Sequence, residues 1–234
     1  MKSPTFGACL ALFLIVANPF SLRAQNDSTN AAPATAEQKS DAEQERKAAE
    51  WAASLKLDDA TKAARVSNVV AAHLKAVRDW HNQHPFSTVP AGINPVTGKK
   101  LSDLDRQVIA DSAIPKSVHE NLMTGLRKDL TEPQVEAVLD KYTVGKVAFT
   151  LNGYHSIVPD LTSEEEATIL GFLKQAREEA VDYKNMNEIS AIFEIYKTKS
   201  EQYLNSNGRN WKQLYTSYVD DAKAKKAAAQ SAPK

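Results

Sequence analysis

Thiols are nearly absent: the chain has one cysteine, Cys9. It lies inside an apolar run from Phe6 to Ala17, which follows Lys2 and leads to Pro19 and a small-residue exit at Leu22-Arg23-Ala24. That is the layout of a cleaved secretory signal peptide, and the run is too short to span a bilayer. Cleavage near Ala24 or Gln25 leaves no thiol, which excludes disulfides, a cysteine nucleophile and a thiolate metal site. A lipoprotein is not expected either, because its cysteine would end the apolar run, whereas Cys9 precedes most of it. Residues 1–25 are therefore expected to be removed, and the product to be periplasmic or secreted.

Excess charge is also missing. Removing Lys2 and Arg23 from the 29 basic residues leaves 27 against 29 acidic ones, a net charge of −2 with His neutral. Without a basic excess there is no signature of nucleic-acid binding, and without a second long apolar segment there is no membrane span. No Ser-His-Asp order, phosphate loop or dinucleotide fingerprint occurs. We therefore assign no catalytic residue and no cofactor, and expect a protein that is not an enzyme. Nothing in the chain speaks to oligomeric state.

What is present is helical pattern. Residues 26–40 hold Asn, Ser, Thr, Ala, Pro and Gln with almost no large apolar side chain, and residues 221–234 are mainly Lys and Ala. These read as a disordered linker and a disordered tail, bracketing one helical domain over residues 41–220. A helix from about Asp41 carries Trp51 and Leu55. After Leu57-Asp58-Asp59 a second runs to about Gln83, with Val66, Val69, Val70, His73, Val77, Trp80 and His84 on one face. Pro85 ends it, and HPFSTVPAGINPVTGKK should be a long loop, of a length that is often functional although a surface excursion is the blander reading.

Further helices are marked by Leu104, Val108 and Ile109, and by Val118, Leu122 and Leu126 after Pro115. Three more begin near Glu164, Asn187 and Asn210. The fold class is mainly α, with about seven or eight helices in a single domain.

One stretch, Leu130 to Thr162, departs from that pattern. It opens with Leu130-Thr131-x-x-Gln134 and closes with Leu161-Thr162-x-x-Glu165, two capping-box signatures. Leu130 and Val135 have hydrophobic-staple spacing. Between the two capping boxes VAFTL, Asn152-Gly153 and YHSIV predict a small β-hairpin confined to Val147–Val158, since Asn-Gly between β-branched and aromatic residues is a strong hairpin signal.

Candidate ligand residues cluster in the same stretch. Tyr142, Asn152, Tyr154 and His155 combine flat aromatic faces with polar tips, a mixture suited to sugars. They are expected to line one pocket with Arg177 at its edge; the competing reading is that the rings fill space between hairpin and helices. His73, His81 and His84 suggest a metal cluster, but His73 and His84 are too far apart. No HExxH pattern or nearby acid completes His81 and His84, so we assign no metal site and read packing or capping histidines. Glu164, Glu165 and Glu166 fit a helix first turn. Arg177, Glu178 and Glu179 are expected to pair along the helix surface with Lys174 or Lys184, and Asp160 reads as a turn acid.

With those residues in view, the region from about Leu130 to Tyr218 resembles an uncharacterised family of exported bacterial proteins. LTEPQVEAVLDKYTVGKV, LNGYHSIVPDLT, the AREEAVD helix and FEIYKTKSEQYLNSNG, in that order, carry the likeness. The resemblance implies a helical fold, a place beside polysaccharide-degrading enzymes and a provisional sugar-binding role; it brings no catalytic residues. Leu130-Thr131-x-x-Gln134 also resembles the LTxxQ motif of small helical periplasmic stress proteins, although Glu165 stands where a second Gln would be. Two functions of different class follow: a carbohydrate-binding accessory protein linked to polysaccharide utilisation, and an LTxxQ-like periplasmic chaperone.

Overall fold

Reciprocal side-chain caps start five of the helices, which is why their boundaries are sharp. Each cap satisfies backbone donors that a helix cannot satisfy internally and is worth about 1 kcal/mol. The computed structural model describes residues 35–95 and 97–231. The expected signal peptide and residues 26–34 of the expected linker lie outside that range.

Nine α-helices occur among the described residues: α1 (Ala36–Ser54), α2 (Ala60–Gln83), α3 (Asp103–Asp111), α4 (Lys116–Asp129), α5 (Glu132–Tyr142), α6 (Lys146–Ile157), α7 (Ser163–Ala180), α8 (Met186–Ser206) and α9 (Trp211–Ser231). A short 3-10 turn spans Phe86–Thr88. The mainly α class holds, and the two expected capping boxes are in place: the Gln134 side chain accepts from Thr131 N at 3.0 Å, and Glu165 from Thr162 N at 2.9 Å. Leu130 and Val135 both enter the core, as their staple spacing predicts.

The hairpin is corrected to a helix. Residues of the described chain pair as β only at the isolated Ile93–Lys100 bridge, whereas the whole VAFTL-NG-YHSI segment is α6. The chain reverses earlier, at Val144 and Gly145, where φ is 52° and 68°. Val147, Leu151, Tyr154 and Val158 then recur at helical spacing and form the face turned to the core. Burying that face outweighs the local turn preference of Asn152-Gly153. The segment thus supplies the ninth helix.

Both expected flexible ends are also corrected where described. Thr35 and Gln38 cap each other's ends, with Gln38 N donating to Thr35 Oγ1 at 3.2 Å, so helix begins at Ala36 within the expected linker. Asp41 binds Arg78 of α2 at 2.7 Å and Lys75 binds Glu45 at 2.6 Å, holding this first helix down. At the other end α9 continues to Ser231, because Ala and Lys are among the best helix formers even where nothing packs on them.

Two apolar clusters form the core. One joins α1, α2, α4 and α5 through Ala48, Val66, Val70, Leu122, Leu126 and Val135. The other joins α6, α7 and α8 through Tyr154, Ile169, Leu173, Ile192 and Phe193, with Trp211 and Leu214 of α9 packed against it. Helices α2 and α4 approach closely at Gly125, where a Cβ would stand 2.7 Å from the Val69 side chain. The loop after α2 is pinned by Arg106 of α3, whose Nε and Nη2 donate to Val89 O at 2.9 and 2.6 Å.

Candidate functional site

The start of α9 is set by side chains that bridge three helices. Arg209 donates to Glu165 from Nε and Nη2, each at 2.7 Å, and to Asp160 Oδ1 at 2.9 Å. The guanidinium holds the Glu165 carboxyl down at about 2, so the acid that caps α7 also anchors the turn between α8 and α9. Asp160, expected as a turn acid, is part of that anchor. Trp211 N then donates to Asn205 Oδ1 at 3.0 Å, and α9 leaves at an angle that opens a groove against α6 and α8.

This groove has a volume of about 710 Å³, within the roughly 300–1,000 Å³ typical of small-molecule sites. Phe149, Tyr154, Phe193, Trp211, Tyr215 and Tyr218 supply its rings, and Asn152, Glu194, Lys197 and Glu201 stand among them. Trp211 and Tyr215 stack at 6.0 Å between centroids and 26° between planes, one turn apart on α9. Tyr154 supports Trp211 from below at 5.4 Å and donates its hydroxyl to Lys197 O at 3.2 Å. Phe149 is 78% exposed, Tyr215 49% and Tyr218 40%, so these rings offer faces to solvent. Lys197 is paired with Glu194 at 2.9 Å, while burial raises the Glu201 carboxyl above its usual value.

Of the five residues expected to share a pocket, the fold brings only Asn152 and Tyr154 to this groove. Tyr142, at the end of α5, is buried edge-on against Trp51 at 4.8 Å and His73 at 5.3 Å, and borders a different cavity. His155 turns toward Glu166 at the start of α7, 3.7 Å away. Arg177 is buried and donates to Asp140 Oδ1 at 2.8 Å, tying α7 to α5. The five do not share one pocket: α6 fans Asn152, Tyr154 and His155 around its axis, and Tyr142 and Arg177 lie on α5 and α7, turned to other partners.

The expected surface pairing along α7 is likewise replaced by contacts between helices. Lys174 reaches Glu136 at 2.6 Å, Lys184 reaches Asn82 at 2.6 Å, and the Tyr196 hydroxyl donates to Glu179 at 2.8 Å. The groove residues that sequence reading missed are Phe149, Trp211, Tyr215 and Tyr218. The i, i+4, i+7 spacing of Trp211, Tyr215 and Tyr218 on α9 reads as a core stripe until the structure shows that, among the described residues, no further helix covers it.

The histidines separate. His84 stacks on Trp80 with centroids 3.7 Å apart, a packing role as expected. His73 Nε2 and His119 Nδ1 each lie 2.9 Å from a different oxygen of Asp182. His81 meets two acids that are distant in sequence: Asp111 Oδ2 at 2.9 Å and Glu188 Oε1 at 3.5 Å. Burial, opposed by His81 and reinforced by Asp111, pushes the Glu188 carboxyl up.

An all-helical domain with an aromatic-lined groove is thus the class of protein that fold and geometry define. The chain belongs to the family of proteins of unknown function DUF3826, whose model matches residues 41–224. Among curated proteins none matches the chain.

Proposed function

We propose that this protein is an exported, non-catalytic carbohydrate-binding accessory protein of polysaccharide utilisation, and that it holds a neutral oligosaccharide in the groove between α6, α8 and α9. The observation that carries the reading is the exposed set of rings, Phe149, Tyr215 and Tyr218, around Trp211. Large aromatic rings left in water forgo burial energy, and a pyranose ring recovers it by laying its C–H face on them. Asn152 and the Lys197–Glu194 pair stand where sugar hydroxyls need donors and acceptors. Two lysines, Lys146 and Lys197, face two acids, Glu194 and Glu201, so the groove has no charge bias toward an anionic ligand.

The LTxxQ-like motif has a local role that needs no chaperone function to explain it. Thr131-Gln134 and Thr162-Glu165 are occupied in starting helices, so the motif by itself gives no support to the chaperone reading.

A glycan array followed by calorimetry tests the proposal, with material whose N-terminus, sequenced after export, should begin near Gln25 or Asn26. Tyr215→Ala and Phe149→Ala should each weaken glycan binding by roughly 1–2 kcal/mol with the fold retained, the scale of a lost aromatic contact. Unchanged binding in both variants, release of cleaved glycan, or suppression of client aggregation without glycan binding would each defeat the reading.

A further inference from the structure

We propose that His81 of α2, Asp111 of α3 and Glu188 of α8 form a site for a divalent transition-metal ion of the zinc type. The three side chains come from three helices, and one ligand atom from each lies within 4.8 Å of the others. Around a tetrahedral ion with bonds of about 2.0–2.1 Å, neighbouring ligand atoms stand roughly 3.3 Å apart. The distances from His81 Nδ1, 2.9 Å to Asp111 and 3.5 Å to Glu188, bracket that spacing.

Charge argues for a cation independently of spacing. Asp111 and Glu188 are each only 2% exposed, and among the described residues neither is paired with a lysine or arginine; His81 is their shared ionic partner. Two buried carboxylates facing one imidazole leave uncompensated negative charge, which is costly away from water. A divalent ion supplies what the imidazole alone cannot.

The surroundings also orient the carboxylates. Gln107 Nε2 donates to Asp111 Oδ1 at 3.0 Å and to His84 O at 3.0 Å, which leaves Asp111 Oδ2 turned to His81. Asn185 Nδ2 donates to Glu188 Oε1 at 2.6 Å, and Asn185 N to Glu188 Oε2 at 3.3 Å. Such outer hydrogen bonds are how proteins aim metal ligands. An imidazole with two carboxylates suits zinc better than calcium or magnesium, which favour shells of oxygen. The side chain of His81 is 18% exposed, leaving an approach for a fourth ligand such as water. Because α2 belongs to one apolar cluster and α8 to the other, the ion would clamp the two together.

The mature protein, stripped with chelator and titrated with zinc chloride, should bind about one ion per chain, and its melting temperature should rise by roughly 5–10 °C at a metal concentration near a hundred times Kd. Cobalt(II) in place of zinc should give the visible absorption of a tetrahedral site. His81→Ala and Asp111→Asn should abolish stoichiometric binding and the cobalt spectrum, whereas His155→Ala, at a half-buried histidine beside Glu166 and outside the cluster, should change neither. Should a variant fail to fold, the cobalt spectrum and stoichiometry of the unaltered protein still decide the matter. No zinc bound by that protein, or zinc bound equally by folded His81→Ala, overturns the proposal.

Discussion

Two tyrosines with the same chemistry show how much depends on where a hydroxyl ends. Tyr142 and Tyr154 are both buried. The Tyr154 hydroxyl reaches Lys197 O, while that of Tyr142 is buried without a hydrogen-bond partner among the described residues. Burial raises the pKa of each phenol, so both stay neutral over ordinary pH. A satisfied buried hydroxyl contributes about 1 kcal/mol, and an unsatisfied one costs a similar or larger amount. Tyr154→Phe should therefore lower stability by about 1 kcal/mol in urea denaturation, and Tyr142→Phe should leave it unchanged or raise it by a similar amount. A loss on Tyr142→Phe equal to that on Tyr154→Phe would show that the Tyr142 hydroxyl has a partner.

Among the elements, α6 is where local and global preferences conflict. Asn152-Gly153 favours a turn, yet both residues lie mid-helix, and a Cβ on Gly153 would meet no atom within 4 Å. Glycine inside a helix costs about 0.5–1 kcal/mol relative to alanine. Gly153→Ala should accordingly raise stability by up to about 1 kcal/mol, measured as a higher melting temperature. In a hairpin turn the same change would destabilise, because that position needs positive φ. The sign of one substitution thus separates the two structures.

For the whole molecule, Asp182 is the point where distant parts meet. It stands between α7 and α8 and accepts from His73 of α2 and His119 of α4. Burial raises its pKa, but the bonds from His119 and His73 more than reverse this, and the net shift is downward. Its hydrogen bond in turn raises His119 above the ordinary 6.5. A histidine whose folded pKa is raised contributes stability that is complete below its unfolded value and disappears as pH climbs through the folded one. Stability relative to a His119→Gln variant should then be greatest below pH 6.5 and shrink above it, as read from urea midpoints across pH. A difference independent of pH would mean that the pair does not ionise as described.

Much of the architecture was legible in the chain because its causes are local. Capping boxes act over three residues, which is why Thr131-Gln134 and Thr162-Glu165 could be read before any fold was known. Amphipathic spacing likewise announced α2. Local composition misled at both ends of the domain, where Gln, Ala and Lys read as disorder but are also good helix formers. It misled in α6 as well, since a short apolar segment can satisfy period 2 or period 3.6 until a partner surface chooses.

By itself, then, the sequence determined the helical class, most helix boundaries and the expectation of aromatic sugar contacts. Only tertiary structure decided which rings face solvent and which acids meet His81. Exposure of Tyr215 depends on what covers α9, and the His81–Asp111–Glu188 cluster depends on how three helices cross. Neither is written in spacing along the chain, because both arise from packing between elements that the sequence presents one after another.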